Sequence, residues 1–261
     1  MKSVTVLLAS FALLAPTNAH YFFSRLILDG KWTSTWEYVR EISPYPGDTT
    51  KLAMAYPNTD PDSPDLRCGR NATIGWSQPK TATVKAGDTI GFGAAEYELV
   101  EVPRMYHPGV ASAWLSKVTG DLNQYLGDGE WVKIMQTRER EAQSVDFTKE
   151  ENKLLYNQMK SLWATFQADS WNFTIPATAP SGRYLLRYEH MFPNPQDTQF
   201  YVNCANIEVV NEGTEGAFPA GVKIPGVYTR GQKDVYFSTY DYGLKGSLDG
   251  YKTPAPEPWK G

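Results

Sequence analysis

Short runs rich in β-branched and aromatic residues recur along this chain, broken by Gly, Pro, Asn and Asp, a punctuation that leaves little room for long helices. The runs cover residues 21–28, 81–84, 89–92, 111–115, 131–135, 170–175, 184–188 and 199–210. Strands spaced this way, without helical patterns between them, predict packed antiparallel sheets rather than βαβ units. The expected fold is therefore all-β: an immunoglobulin- or fibronectin-like antiparallel β-sandwich with long loops and one short helical insertion. Residues 85–88, Lys-Ala-Gly-Asp, read as a tight turn that joins two strands in a hairpin. The helical exception is 148–163. There Thr148-Lys149-Glu150-Glu151 has the form of a capping box, and Leu155, Met159, Leu162 and Trp163 follow at helical spacing. From Pro219 onward Gly, Pro and Tyr accumulate without a period, so this segment is expected to wrap the sandwich as an ordered loop.

Lys2, the apolar stretch 4–14 and the small residues Thr17-Asn18-Ala19 have the form of a cleavable secretory signal, too short to span a bilayer. Residues 1–19 are read as that signal and 20–261 as one domain with no separate carbohydrate-binding module. A net charge of −4 gives no reason to expect nucleic acid or an anionic membrane as partner. No later stretch is long and apolar enough to cross a membrane, so a secreted, soluble monomer is expected. In an oxidising compartment the chain's two cysteines, Cys68 and Cys204, are expected to pair. A loop of that length is worth about 5 kcal/mol at most in the chain-entropy model. Asn71-Ala72-Thr73 and Asn172-Phe173-Thr174 are acceptor sequences for N-glycosylation.

The chain holds three histidines, His20, His107 and His190. Cleavage after Ala19 would free the α-amino group of His20 beside its own imidazole, so one residue offers two nitrogen donors. With the His107 ring these make a planar, T-shaped set, and nitrogen ligands in tetragonal geometry favour copper(II), whereas zinc prefers a tetrahedron. The phenol of Tyr201 can take a distant axial position. Gln199, two residues earlier, shares its side of the strand, and Phe200 points the other way.

These residues carry a resemblance. His20-Tyr21-Phe22-Phe23, Leu66-Arg67-Cys68-Gly69, Ala82 to Asp88, Tyr106-His107-Pro108-Gly109, Trp171 to Pro176, Ser181 to Arg187 and Gln199 to Ala205 stand in an order and spacing similar to the fungal lytic polysaccharide monooxygenases of auxiliary activity family nine, once classed as glycoside hydrolase family 61. The resemblance implies one copper ion held in a histidine brace: the amine and a ring nitrogen of His20, a ring nitrogen of His107, and Tyr201 axial. It implies that Gln199 hydrogen-bonds the oxygen that reacts at copper and that Cys68 pairs with Cys204.

It also implies an activity. An external reductant, a small molecule or a secreted dehydrogenase, would reduce the copper, and dioxygen or hydrogen peroxide would serve as co-substrate. Hydroxylation at a glycosidic carbon would then cleave β-1,4-glucan chains, cellulose or a related polymer. A solid polysaccharide needs an open face with aromatic rings, and Tyr251, by family position, and Tyr228, by composition, are expected to stack on sugars there.

The chain departs from the family pattern in one place. The family carries a histidine near the copper in a motif like Glu-His-x-Ala-Leu-His, and here the stretch is Glu189-His190-Met191-Phe192-Pro193-Asn194. Counting forward from Glu189 puts Asn194 in that place; counting back from Gln199 puts His190 there. His190 could donate a proton; Asn194 offers only a neutral amide. The alternative function is a secreted copper carrier on the same sandwich, for which His20 and His107 suffice without Gln199 and Tyr201. A metal-free carbohydrate-binding sandwich would have no use for the histidine, and no carboxylate pair marks a glycoside hydrolase.

Overall fold

The computed structural model describes residues 20–261, except 74–76, 97–98 and 101. The stretch 1–19, read above as a secretory signal, lies outside the described residues. The strands are β1 (Phe23–Leu28), β2 (Lys31–Trp32), β3 (Ala82–Lys85), β4 (Thr89–Ala94), β5 (Val110–Val118), β6 (Val132–Thr137), β7 (Ser170–Thr174), β8 (Gly182–Phe192) and β9 (Gln199–Val210). They form a four-stranded sheet, β2-β1-β4-β7, and a five-stranded sheet, β3-β9-β8-β5-β6, and so the expected sandwich. Every pairing is antiparallel except β3 with β9, which is parallel.

Alternation along the strands builds two cores. On β8, Tyr184, Leu186, Tyr188 and Phe192 join Phe23, Phe92 and Trp171 of the opposite sheet in the core between the sheets. The intervening Leu185 and Met191 pack on the other face beneath the loops, with Trp114, Trp131, Trp163 and residues of the C-terminal segment. That outer face also holds a buried polar network. Arg187 Nε donates to the Leu66 and Arg67 carbonyls at 3.2 and 3.0 Å. Its Nη2 pairs with Glu189, and the Glu189 carboxylate accepts from Tyr228 Oη at 2.6 Å. Arg187 and Glu189 are 0% and 2% exposed, so a partner lost here leaves a charge stranded in the core. The disulfide Cys68–Cys204 ties the same loop to β9. No helix among the described residues is long and apolar enough to cross a membrane.

Two local expectations are corrected. The turn at 85–88 forms, with Asp88 N donating to Lys85 O at 3.0 Å and Gly87 at φ +91, but it makes no hairpin. It passes the chain from β3 in one sheet to β4 in the other, because β3 pairs with β9 and β4 with β1 and β7. The helix over 148–163 shrinks to the 3-10 turn Glu150–Leu155. Its intended cap, the Thr148 hydroxyl, donates instead to Asp146 Oδ1 at 2.7 Å, and Tyr156 turns extended at ψ 136. The C-terminal segment covers the outer face as expected, but carries one short α-helix, α1 (Thr239–Lys245), that the sequence did not signal.

Candidate metal centre

β1 begins three residues after His20, which sets that residue at the end of the sandwich. His107 sits in the loop entering β5, and Gln199 and Tyr201 open β9. The β8–β9 register pairs His190 with Tyr201 and Phe192 with Gln199, so the end of the β8–β9 hairpin reaches the same place. Five aromatic rings meet there. The His20 ring centroid lies 6.2 Å from that of His107 and 6.3 Å from that of Tyr201; His107 and Tyr201 are 6.0 Å apart. Beneath them Tyr21 stacks on Tyr201 at 4.1 Å with 14° between planes, and Phe192 stacks on His107 at 4.4 Å and 6°.

The electrostatics favour neutral donors. Burial, then the His20 and Lys160 charges, pushes the His107 imidazole down to about 3, and burial also lowers His20. Burial raises the Tyr201 phenol well above its ordinary value, so it keeps its proton, which it donates to Gln199 Oε1 at 2.6 Å. His107 Nε2 is buried with no hydrogen-bond partner. A buried ring nitrogen left unpaired, facing a second imidazole, fits a metal donor better than a structural histidine. Among the described residues no group of three or more His, Cys, Asp and Glu side chains could hold a metal. The set is rich in nitrogen and poor in carboxylate and thiolate, which suits copper.

His190 is fully buried, and its Nδ1 lies 2.7 Å from the Tyr21 hydroxyl. Burial keeps the Tyr21 phenol protonated, and a phenol donates to a neutral imidazole nitrogen more readily than it accepts from one, so the His190 proton is assigned to Nε2. Burial, followed by the His107 charge, lowers the His190 imidazole to about 3. Asn194 stands at the hairpin turn, where its backbone N–H donates to Thr198 Oγ1 at 3.2 Å and its Oδ1 accepts from Gln196 N at 3.3 Å.

The sugar-stacking tyrosines are corrected. Tyr251 is 3% exposed and packs against Trp163, Phe237 and Tyr242; Tyr228 is also 3% exposed and bonds Glu189. Both rings serve the outer core, because the C-terminal segment folds them inward over β5, β8 and β9. The exposed rings beside the site are Tyr56, 37% exposed and 5.3 Å from the His20 ring, and Tyr45, 53% exposed and 5.6 Å from Tyr56. Together with Asp48, Asp197, Gln199 and His20 they line an open groove of about 720 Å³. Proline beside each tyrosine, in Pro44-Tyr45-Pro46 and Tyr56-Pro57, was the sequence signal for rings presented on a loop. The acceptor Asn71 is half-buried, with Nδ2 donating to Ser43 Oγ at 2.7 Å; Asn172 is half-buried on β7, its backbone capped by Gln143.

Residues 20–247 match Auxiliary Activity family 9 (formerly GH61), a match that begins at His20. The chain is similar to AA9 family lytic polysaccharide monooxygenase A of Aspergillus fumigatus, 36% identical over 98% of this chain and 81% of that protein. It is also similar to AA9 family lytic polysaccharide monooxygenase D of Phanerodontia chrysosporium, 34% identical over 97% and 99%. A cellulose-active polysaccharide monooxygenase from M. thermophila shares the fold at TM-score 0.63 and 24% identity, over 93% of this chain and all 100% of that one. A glycoside hydrolase family 61 member from Hypocrea jecorina does so at TM-score 0.65 and 19% identity, over 92% and 100%.

Proposed function

Because the chain belongs to Auxiliary Activity family 9, and is a copper-dependent polysaccharide monooxygenase, we propose that His20 and His107 hold its single copper and that its substrate is a β-1,4-glucan such as cellulose. The observation that carries the site is His107 Nε2, buried, unpaired and close to the His20 ring. The brace needs the amine of His20, so the working protein is a secreted chain whose first residue is His20. When bound, copper would supply the redox chemistry that hydroxylates a glycosidic C–H bond, either with dioxygen, two external electrons and two protons, releasing water, or with hydrogen peroxide once the copper has been reduced. A small-molecule reductant or a secreted dehydrogenase would give those electrons.

The residues around it do the rest. Tyr201 has its proton engaged by Gln199 and its phenol held neutral by burial, so a lone pair on a neutral oxygen is what it would offer the metal, a weak donor. The Phe192 and Tyr21 rings fix His107 and Tyr201 from below and keep bulk water from that side. Tyr45 and Tyr56 offer ring faces to a glucan chain lying across the groove, and Asp48, Asp197 and Gln199 meet its hydroxyls. The groove is open, as a chain at the surface of a solid requires.

Adding one residue before His20 tests the site. That extension turns the amine into an amide, and copper(II) titration by calorimetry should show tight binding in protein that begins at His20 and its loss in the extended form. A free α-amino group titrates near pH 8, so the same binding should weaken in acid. Equal affinity in both forms would end the assignment.

A further inference from the structure

We infer that Tyr21 is a positioning residue for the copper donors, aimed by His190, so that one buried side chain sets the axial phenol and the His107 loop relative to each other. The inference rests on the brace proposed above. Tyr21 makes three contacts at once. Its ring lies face to face with Tyr201 at 4.1 Å and 14°. Its ring centroid lies 6.3 Å from that of His107, and its hydroxyl lies 2.7 Å from His190 Nδ1, to which it donates. Tyr21 and His190 are 1% and 0% exposed, so no water substitutes for either partner.

The covalent frame makes these contacts matter. Tyr21 is bonded to His20, His190 is the cross-strand partner of Tyr201, and Phe192, two residues on along β8, stacks on His107. A tyrosine at position 21 therefore joins β1, the His107 loop, β8 and β9 at one point. Without its hydroxyl His190 Nδ1 loses its donor, and the ring held between Tyr201 and His107 loses what orients it. His190 in this arrangement is an acceptor spent on Tyr21, and its other nitrogen is buried without a partner. It orients; it does not deliver protons to the oxidant.

The test uses full-length mature protein beginning at His20. Tyr21→Phe keeps the stack and removes the hydroxyl; outer partners of metal ligands typically contribute 10–100-fold to affinity, so copper(II) affinity should fall roughly ten-fold or more. The parallel hyperfine coupling in the copper(II) EPR spectrum should shift as well, which a loss of packing stability alone would not cause. His190→Gln keeps an acceptor for the Tyr21 hydroxyl and should stay near wild type in both readouts, whereas His190→Phe should resemble Tyr21→Phe. This pair decides the matter if Tyr21→Phe does not fold. Wild-type affinity and spectrum in Tyr21→Phe, even with a lower melting temperature, would overturn the inference. So would a His190→Gln protein that matches His190→Phe. Wild-type protein that takes up no copper would instead overturn the brace, and this inference with it.

Discussion

Replacing Gly109 with alanine tests whether close strand packing holds His107 in place. A Cβ at Gly109 would lie 2.0 Å from the Met191 carbonyl oxygen, 2.9 Å from its carbon and 3.2 Å from Phe192 Cα. All three are backbone atoms of β8, so no side-chain rotation relieves the contact. Reaching ordinary contact at 3.4 Å requires the strands to part by about 1.4 Å where Val110 pairs with Met191. Overpacking of this kind costs about 1–3 kcal/mol. An exposed Gly→Ala change at a compatible site instead gains about 0.4–1 kcal/mol by restricting the unfolded chain, so here the clash outweighs it. For a domain of this size each kcal/mol moves the melting temperature by about 2–4 °C, giving a drop of roughly 2–12 °C. Phe192 moves with the strand, and its ring stacks on His107, so copper affinity should fall too. Gly120→Ala is the control, since nothing lies within 4 Å of its Cβ. Scanning calorimetry of the metal-free proteins, followed by copper titration, gives both readouts. A Gly109→Ala protein that melts and binds copper like the Gly120→Ala control would refute the reasoning.

Removing the disulfide by Cys68→Ala with Cys204→Ala should destabilise the protein by up to about 5 kcal/mol for a separation of 136 residues, measured as a lower urea midpoint; an unchanged midpoint would deny it a role. Metal-free protein should lose stability in acid. His107 and His190 titrate near 3 when folded against an ordinary 6.5, so between those values the unfolded chain binds more protons and stability falls as pH falls. Each of these histidines contributes at most about 1.4 kcal/mol per pH unit, and a urea midpoint flat from pH 7 to 5 would show that these rings are not held neutral. Tyr56→Ala should weaken binding to a cello-oligosaccharide by about 0.5–1.5 kcal/mol, roughly two- to thirteen-fold, while Leu154→Ala, 97% exposed, leaves it unchanged; equal binding in the two would remove Tyr56 from the substrate face.

The parts of this molecule that were legible in its sequence are those that depend on local alternation or on scarce residue types. Strand positions followed from runs such as 199–210, whose alternating residues divide between two buried faces as β9. The ring cluster of His20, His107 and Tyr201 followed from the rarity of histidine and the spacing of a family motif. Contacts between distant segments were not legible. The turn at Gly87 reads the same whether the next strand stays in its sheet or crosses to the other, and here it crosses. Trp163 followed a helical spacing, but it is buried by Phe237, Tyr242 and Tyr251, a segment whose arrival no local pattern announces. That arrival also draws Tyr251 and Tyr228 into the core and leaves Tyr45 and Tyr56 as the rings beside the metal position. The roles of His190 and Asn194 could not be separated by counting, since a shortened hairpin shifts both registers. The bond from His190 to Tyr21 depends on three-dimensional register alone.

The most direct test is incubation of copper-loaded protein beginning at His20 with amorphous cellulose, with and without ascorbate, and mass spectrometry of the soluble products. Oxidised oligosaccharides that appear only with the reductant are the predicted result, and their masses begin to identify the carbon attacked. Tight copper binding with no oxidised product from cellulose or any other β-glucan would contradict the account.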